Sequence, residues 1–184
     1  MDITIYPKKL SGTVNIIPSK SMAHRFLICA AFSDQCTTLL CPDTNDDIEA
    51  TADCLNALGA QIRRTDTGYE IEPVNQLPRE AVLNCRESGS TLRFLLPVAA
   101  ALGVATTFQL SGRLPDRPLS PLWEEMERMG CTLSRPARDT IMCTGRLQPG
   151  IYTIDGSISS QFITGLQFAL SLISGKSQLK ITGN

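Results

Sequence analysis

At 184 residues, with 42% apolar and 19% charged side chains, the chain is long enough for one sizeable core and has neither a disordered nor a fibrous composition. A net charge of −1 and a pI near 5.8 exclude a broad nucleic-acid surface, which needs clustered excess Lys and Arg, so any anion site has to be local. Seven cysteines without a C-x-x-C pair argue against zinc or a disulfide framework and suit a reducing compartment. The N-terminus lacks a basic segment followed by a long apolar one, and no uncharged apolar run approaches the roughly 18 residues of a membrane span. A cytoplasmic protein with no membrane or nucleic-acid partner is the expectation.

Residues 1–17 alternate apolar and polar around Ser11-Gly12 and predict two short strands. Pro18-Ser19-Lys20-Ser21-Met22-Ala23-His24-Arg25 then opens an apolar helix over 20–33. Residues 37–40 read as a strand, 46–58 as an amphipathic helix closed by Gly59, and 61–64 with 69–72 as a hairpin through Asp66-Thr67-Gly68. The same order then recurs. Ser88-Gly89-Ser90 opens a helix over 91–102, a strand follows at 105–110, an amphipathic helix at 118–129 ends at Gly130, and two strands fall at 131–134 and 140–144. Ser157-Ile158-Ser159-Ser160 opens a third helix over 161–172, with a strand at 178–181.

Ser21, Ser90 and Ser159 recur at a constant interval of 69 residues, and Thr37-Thr38 and Thr106-Thr107 repeat it. That interval is one supersecondary unit. The third copy reaches only its first strand by Asn184, which predicts that the chain is a fragment. The three serine-opened helices are apolar nearly all round and are expected side by side in the interior.

If the three N-termini share one rim, their partial positive charges add and favour an anion. Ser21 and Arg25, four apart, share a helix face. Lys20, Arg25 and Arg93 lie in or near first turns, where a cation is unfavourable to the helix itself; either ligand anions compensate, or Asp43, Asp46, Asp47 or Glu87 pair with them. Arg117 precedes Pro118, which fits a first helical position and would stand Arg117 at the head of that helix. Phosphate-loop and dinucleotide glycine patterns are absent. His24 lacks a partner at triad or metal spacing and reads as a helix-surface residue, while Asp43, Asp46 and Asp47 read as helix-start acids rather than a metal cluster.

Four motifs in order, Pro18 to Arg25, Glu87-Ser88-Gly89-Ser90-Thr91-Leu92-Arg93, Asp116-Arg117-Pro118 and Gly156-Ser157-Ile158-Ser159-Ser160-Gln161-Phe162, together resemble the EPSP synthase family over the whole chain. The resemblance implies an α/β (α+β) lobe of repeated βαβαββ units with buried parallel helices, the inside-out α/β barrel of enolpyruvyl transferases. Residues 18–184 would form an N-terminal lobe with two full units and a truncated third, and residues 1–17 a segment crossing to a second, C-terminal lobe that this sequence lacks. It further implies enolpyruvyl transfer from phosphoenolpyruvate to the 5-hydroxyl of shikimate 3-phosphate in aromatic amino-acid biosynthesis, without metal or organic cofactor, and inhibition by glyphosate. Lys20 would be catalytic and contact both substrates. Ser21, Arg25, Ser159, Ser160 and Gln161 would bind shikimate 3-phosphate, and Gly89, Arg117 and Gln161 phosphoenolpyruvate. The family's proton-transfer groups lie in the absent lobe, so the chain alone is expected not to turn over. Glu87 stands where Asn is frequent and Ser90 where Thr is common, which puts a ligand contact by residue 87 in doubt. The related UDP-N-acetylglucosamine enolpyruvyl transferase carries Lys-Asn in the first motif and no arginine matching Arg25. A non-catalytic anion-binding domain is the other alternative.

Overall fold

The computed structural model describes residues 3, 4, 6, 7, 9, 11–13 and 19–183. The strands expected within 1–17, and hence the crossing segment, fall largely on residues outside that set. The elements are α1 (Lys20–Ala31), β1 (Thr37–Leu40), α2 (Asp46–Ala57), β2 (Gln61–Thr65), β3 (Gly68–Glu72), β4 (Glu80–Arg86), α3 (Gly89–Leu102), β5 (Ala105–Leu110), α4 (Leu122–Arg128), β6 (Cys131–Ala137), β7 (Thr140–Gly145), β8 (Ile151–Asp155), α5 (Ser160–Ser171) and β9 (Gln178–Thr182).

Short polar side chains start three of these helices by accepting from otherwise unpaired N–H groups. Asn45 caps α2 by accepting from Asp47 N and Ile48 N, both at 3.1 Å. Ser88 accepts from Thr91 N and Ser159 from Gln161 N, each at 3.3 Å. Ser19 caps α1 through its backbone only. Gly103, at φ 75°, ends α3 in the left-handed conformation that glycine adopts without steric cost.

The strands confirm the internal repeat. In the first sheet the order is β1-β3-β2, all antiparallel. The second has the order β4-β5-β7-β6, so that β5-β7-β6 matches β1-β3-β2 and β4 is added parallel to β5. The third holds β8 parallel to β9, matching β4 and β5. Successive units are bolted together: Glu125 of α4 accepts from Arg128 and from the backbone N–H of Thr153 in β8, and Arg128 donates to Ile151 O at 2.6 Å.

Three sequence expectations need correction. Strands β4 and β8 were not anticipated, although the repeat requires one before each serine mouth. The helix expected over 118–129 begins only at Leu122, with Pro121 as its cap. A start at Pro118 would make the nitrogen of Pro121 close the first helical hydrogen bond, and proline has no N–H to do so. Arg117 accordingly closes the 3-10 turn Leu114–Asp116 rather than heading an α-helix. Thirdly, only α3 is enclosed on nearly every side, with Leu92, Phe94 to Ala101 buried. Helices α1 and α5 each keep an exposed side, with Met22, Phe26 and Cys29 outward on α1.

The core is built around α3, packed on α5 and on β4, β5 and β7. Five cysteines, 41, 54, 85, 131 and 143, are buried among these apolar groups, as the reading of Cys as a small core residue anticipated for several of them, whereas Cys29 and Cys36 are exposed.

Candidate functional site

The N-terminal turns of α1, α3 and α5 meet on one rim. Arg25, one turn into α1, donates to Ser21 O at 2.7 Å and Ser21 Oγ at 2.5 Å, and reaches Thr164 Oγ1 of α5 at 3.3 Å. Its guanidinium also lies over the Phe94 ring of α3, 5.2 Å from the centroid. Arg93 of α3 donates to Gln161 Oε1 of α5 at 2.7 Å, and Gln161 Nε2 donates back to Ser90 Oγ at 2.8 Å. Ser21, Arg25, Ser90, Arg93 and Gln161 are thus drawn together by named contacts, with Gly89 next to Ser90 and with Ser159 and Ser160 at the head of the same α5.

Arg117 comes from the loop between β5 and α4. A Cβ added at Gly89 would lie 2.9 Å from Arg117 Nη1 and 3.4 Å from Arg93 Nη1, so two guanidinium groups flank the first residue of α3. Burial, followed by the nearby positive charge of Arg117, pulls the Arg93 guanidinium below its ordinary range. Two like charges beside a helix N-terminus are mutually unfavourable until an anion sits between them.

Lys20 has taken a carboxylate partner: its Nζ is 2.5 Å from Asp47 Oδ2 on α2. Among the described residues neither Arg25, Arg93 nor Arg117 has one. Internal pairing therefore accounts for Lys20, while Arg25 and Arg117 have no compensating carboxylate among the described residues and Arg93 is held by Gln161. Glu87 holds the loop rather than the rim. It accepts from Arg113 N at 3.1 Å and packs against Gly112, whose φ of 57° and lack of a side chain make room for it.

His24 differs most from expectation. It is fully buried, with Nδ1 2.7 Å from Thr51 Oγ1, which is 2.7 Å from Thr91 Oγ1, itself 2.7 Å from Ser88 Oγ. This chain of hydroxyls joins α1, α2 and α3 immediately beneath the rim. Burial pulls the imidazole down from 6.5 to about 4, with Asp47 opposing and Lys20 and Arg25 adding to the shift, so it is neutral near pH 7. The spacing that could have shown it is His24 with Ala23, Leu27 and Ile28, the inward face of α1. No group of three His, Cys, Asp or Glu side chains suited to a metal occurs among the described residues.

These geometries define an α/β lobe of repeated units with three helix mouths joined on one rim, and solved structures share that fold. An EPSP synthase from Acinetobacter baumannii superposes with a TM-score of 0.77 at 19% identity, over 94% of this chain and 41% of that one. The enolpyruvyl transferase NikO from Streptomyces tendae superposes at 0.61 and 16% identity, over 91% and 39%. The fold is therefore an enolpyruvyl transferase-like lobe. Residues 5–183 match the family model for EPSP synthase (3-phosphoshikimate 1-carboxyvinyltransferase), and the chain belongs to that family. Relatives of that name from Clostridium beijerinckii and Clostridium kluyveri are each 40% identical over 98% of this chain. The chain spans 44% and 43% of their lengths.

Proposed function

We propose that this chain is the substrate-seating N-terminal lobe, residues 18–184, of a cytoplasmic 3-phosphoshikimate 1-carboxyvinyltransferase, with residues 1–17 leading to a C-terminal lobe that completes the enzyme. The reaction joins the enolpyruvyl group of phosphoenolpyruvate to the 5-hydroxyl of shikimate 3-phosphate and releases inorganic phosphate. One observation carries the reading: three serine-headed helix mouths are tied to one rim bearing Arg25, Arg93 and Arg117, none paired to a carboxylate among the described residues.

In this reading Ser159 and Ser160, at the N-terminus of α5, hold the phosphate of shikimate 3-phosphate with backbone and hydroxyl donors. Ser21 and Arg25 bind the same molecule from α1, and Gln161 lies against its ring. Gly89 offers its N–H to phosphoenolpyruvate, whose charged groups Arg117 clamps. Lys20 spans both substrates. Its pair with Asp47 is part-exposed, at 50% and 28% of the two side chains, and such pairs contribute at most about 1 kcal/mol, so a dianionic phosphate can draw the ammonium away. Holding two anions against one set of positive groups brings the hydroxyl and the enol carbon together and offsets their repulsion. The chain's own residues seat and orient; the groups that move protons belong to the other lobe.

Titration of the chain with shikimate 3-phosphate should shift the NMR signals of Ser21, Arg25 and Ser159 without any phosphate release from added phosphoenolpyruvate. Unchanged spectra at millimolar ligand would remove the seat, and turnover by the chain alone would remove the division of labour between lobes.

A further inference from the structure

Arg93 sits at a junction that substrate binding alone does not account for. It reaches two separate elements: Gln161 Oε1 on α5 at 2.7 Å and Pro118 O, next to Arg117, at 3.3 Å. Its guanidinium lies 5.5 Å from the centroid of the Phe162 ring, and its Nε is buried with no partner among the described residues. The side chain is half-buried and held on three sides.

A guanidinium carries donors and no acceptor, so the atom of Gln161 that meets it has to be the carbonyl oxygen. That fixes an amide orientation which would otherwise be ambiguous. With Oε1 turned to Arg93, Nε2 faces α3, and its N–H donates to Ser90 Oγ at 2.8 Å. Ser90 Oγ is an acceptor in that bond, which leaves its own O–H to donate outward. Direction therefore propagates from Arg93 to Gln161 to Ser90, each bond polarising the next. At this junction the second N–H of Gln161 and the O–H of Ser90 are left to donate to a ligand. Reversing the amide would set an NH2 against the guanidinium and turn the Ser90 O–H inward to donate to the carbonyl oxygen, which removes that donor from the ligand side.

We propose that Arg93 is a positioning residue that, acting through Gln161, sets the hydrogen-bond direction across the α3 and α5 mouths so that they present donors to an oxygen-rich anionic ligand. The inference deepens the function proposed above, since the ligand is taken to be shikimate 3-phosphate. It distinguishes Arg93 from Arg25 and Arg117, whose guanidinium groups serve the ligand directly.

The test is a double-mutant cycle on the whole chain with Arg93→Met, Gln161→Met and both together, plus Arg93→Lys, which still donates to Oε1. Shikimate 3-phosphate affinity is measured by titration, and the Gln161 side-chain amide is followed by NMR without ligand. Charge-assisted hydrogen bonds of this kind are worth about tenfold or more in affinity, the loss expected for Arg93→Met. In the Gln161→Met background the further loss should be about twofold or less, and Arg93→Lys should recover part of the affinity. The ligand-free Gln161 amide signals should move in Arg93→Met and stay near their original positions in Arg93→Lys. An undiminished loss in the Gln161→Met background would make Arg93 a direct ligand and overturn the inference, as would unmoved amide signals. Arg93→Leu, which likewise offers no donor, replaces the Met variant if the latter does not fold. If the unaltered chain fails to bind the ligand, the proposed function fails while the ligand-free amide comparison still decides the role of Arg93.

Discussion

His24 shows how a residue with no visible partner in sequence becomes a determinant of stability. Its folded pKa of about 4 lies below the unfolded value of 6.5, so between those values the unfolded chain binds the proton and the folded one does not. Stability contributed by the neutral imidazole is complete above pH 6.5 and is lost as pH falls through 6.5 towards 4. A shift of this size corresponds to about 3 kcal/mol. Urea unfolding at pH 7, 5.5 and 4.5 should show that loss, and His24→Gln should flatten the profile; an equally steep profile in the variant would assign the pH dependence to other groups. Gly89 offers the opposite case, where the fold tolerates change and the site does not. A methyl there meets the ends of the Arg117 and Arg93 side chains, which can swing away. Gly89→Ala should leave the unfolding midpoint nearly unchanged and weaken anion binding at the α3 mouth. Loss of stability with retained binding would contradict the placement of those two groups.

At the scale of elements, the contact between α3 and α5 depends on a proline and a glycine acting together. Pro97 lies inside α3 and cannot donate to the carbonyl four residues back, which is that of Arg93. Gly165 of α5 is set directly against this freed carbonyl: an added Cβ would overlap Arg93 O and come within 3.0 Å of Pro97 Cγ. The missing side chain lets the two helices close where Arg93 reaches Gln161. Gly165→Ala should therefore destabilise by about 1 to 3 kcal/mol, the cost of overpacking, and shift the Gln161 amide signals. A neutral result by urea unfolding would show that the helices separate freely. Much of this level was legible in sequence, because the 69-residue echo of the serines aligned the three mouths before any fold was known. Strand β4 was missed because Ala81, Val82 and Leu83 are apolar on both faces and hide the alternation, and β8 because the outward Ile151 next to Tyr152 does the same. The start of α4 was set too early because Pro118 satisfied the rule for a helix start while Pro121, three residues on, broke it. The cross-helix contacts of Arg93 and His24 join residues up to 68 apart, and no local pattern encodes them.

At the scale of the whole molecule, two surfaces are left bare among the described residues. Helix α2 lies against both α1 and α3, yet the far side of α1 keeps Met22 and Phe26 nearly half exposed, beside grooves of about 380 and 240 Å³ that meet at Cys29. In the second sheet β5 is paired on both edges, whereas β9 pairs only with β8 among the described residues. An apolar helix face and an unpaired strand edge are the two features that natural proteins cover or charge. The α1 face has no charge at its centre, where Phe26 and Cys29 lie, and the β9 edge has a single one, Lys180, among Gln178, Leu179, Ile181 and Thr182. The 20.0 kDa chain at tens of micromolar should therefore elute above its monomer mass and bind an apolar dye. Phe26→Glu, which charges the α1 face without touching the rim, should return it to a monomer while shikimate 3-phosphate binding is unchanged. A monomeric elution of the unaltered chain would show that the face is tolerated in water, and association persisting in Phe26→Glu would locate the contact at the β9 edge instead.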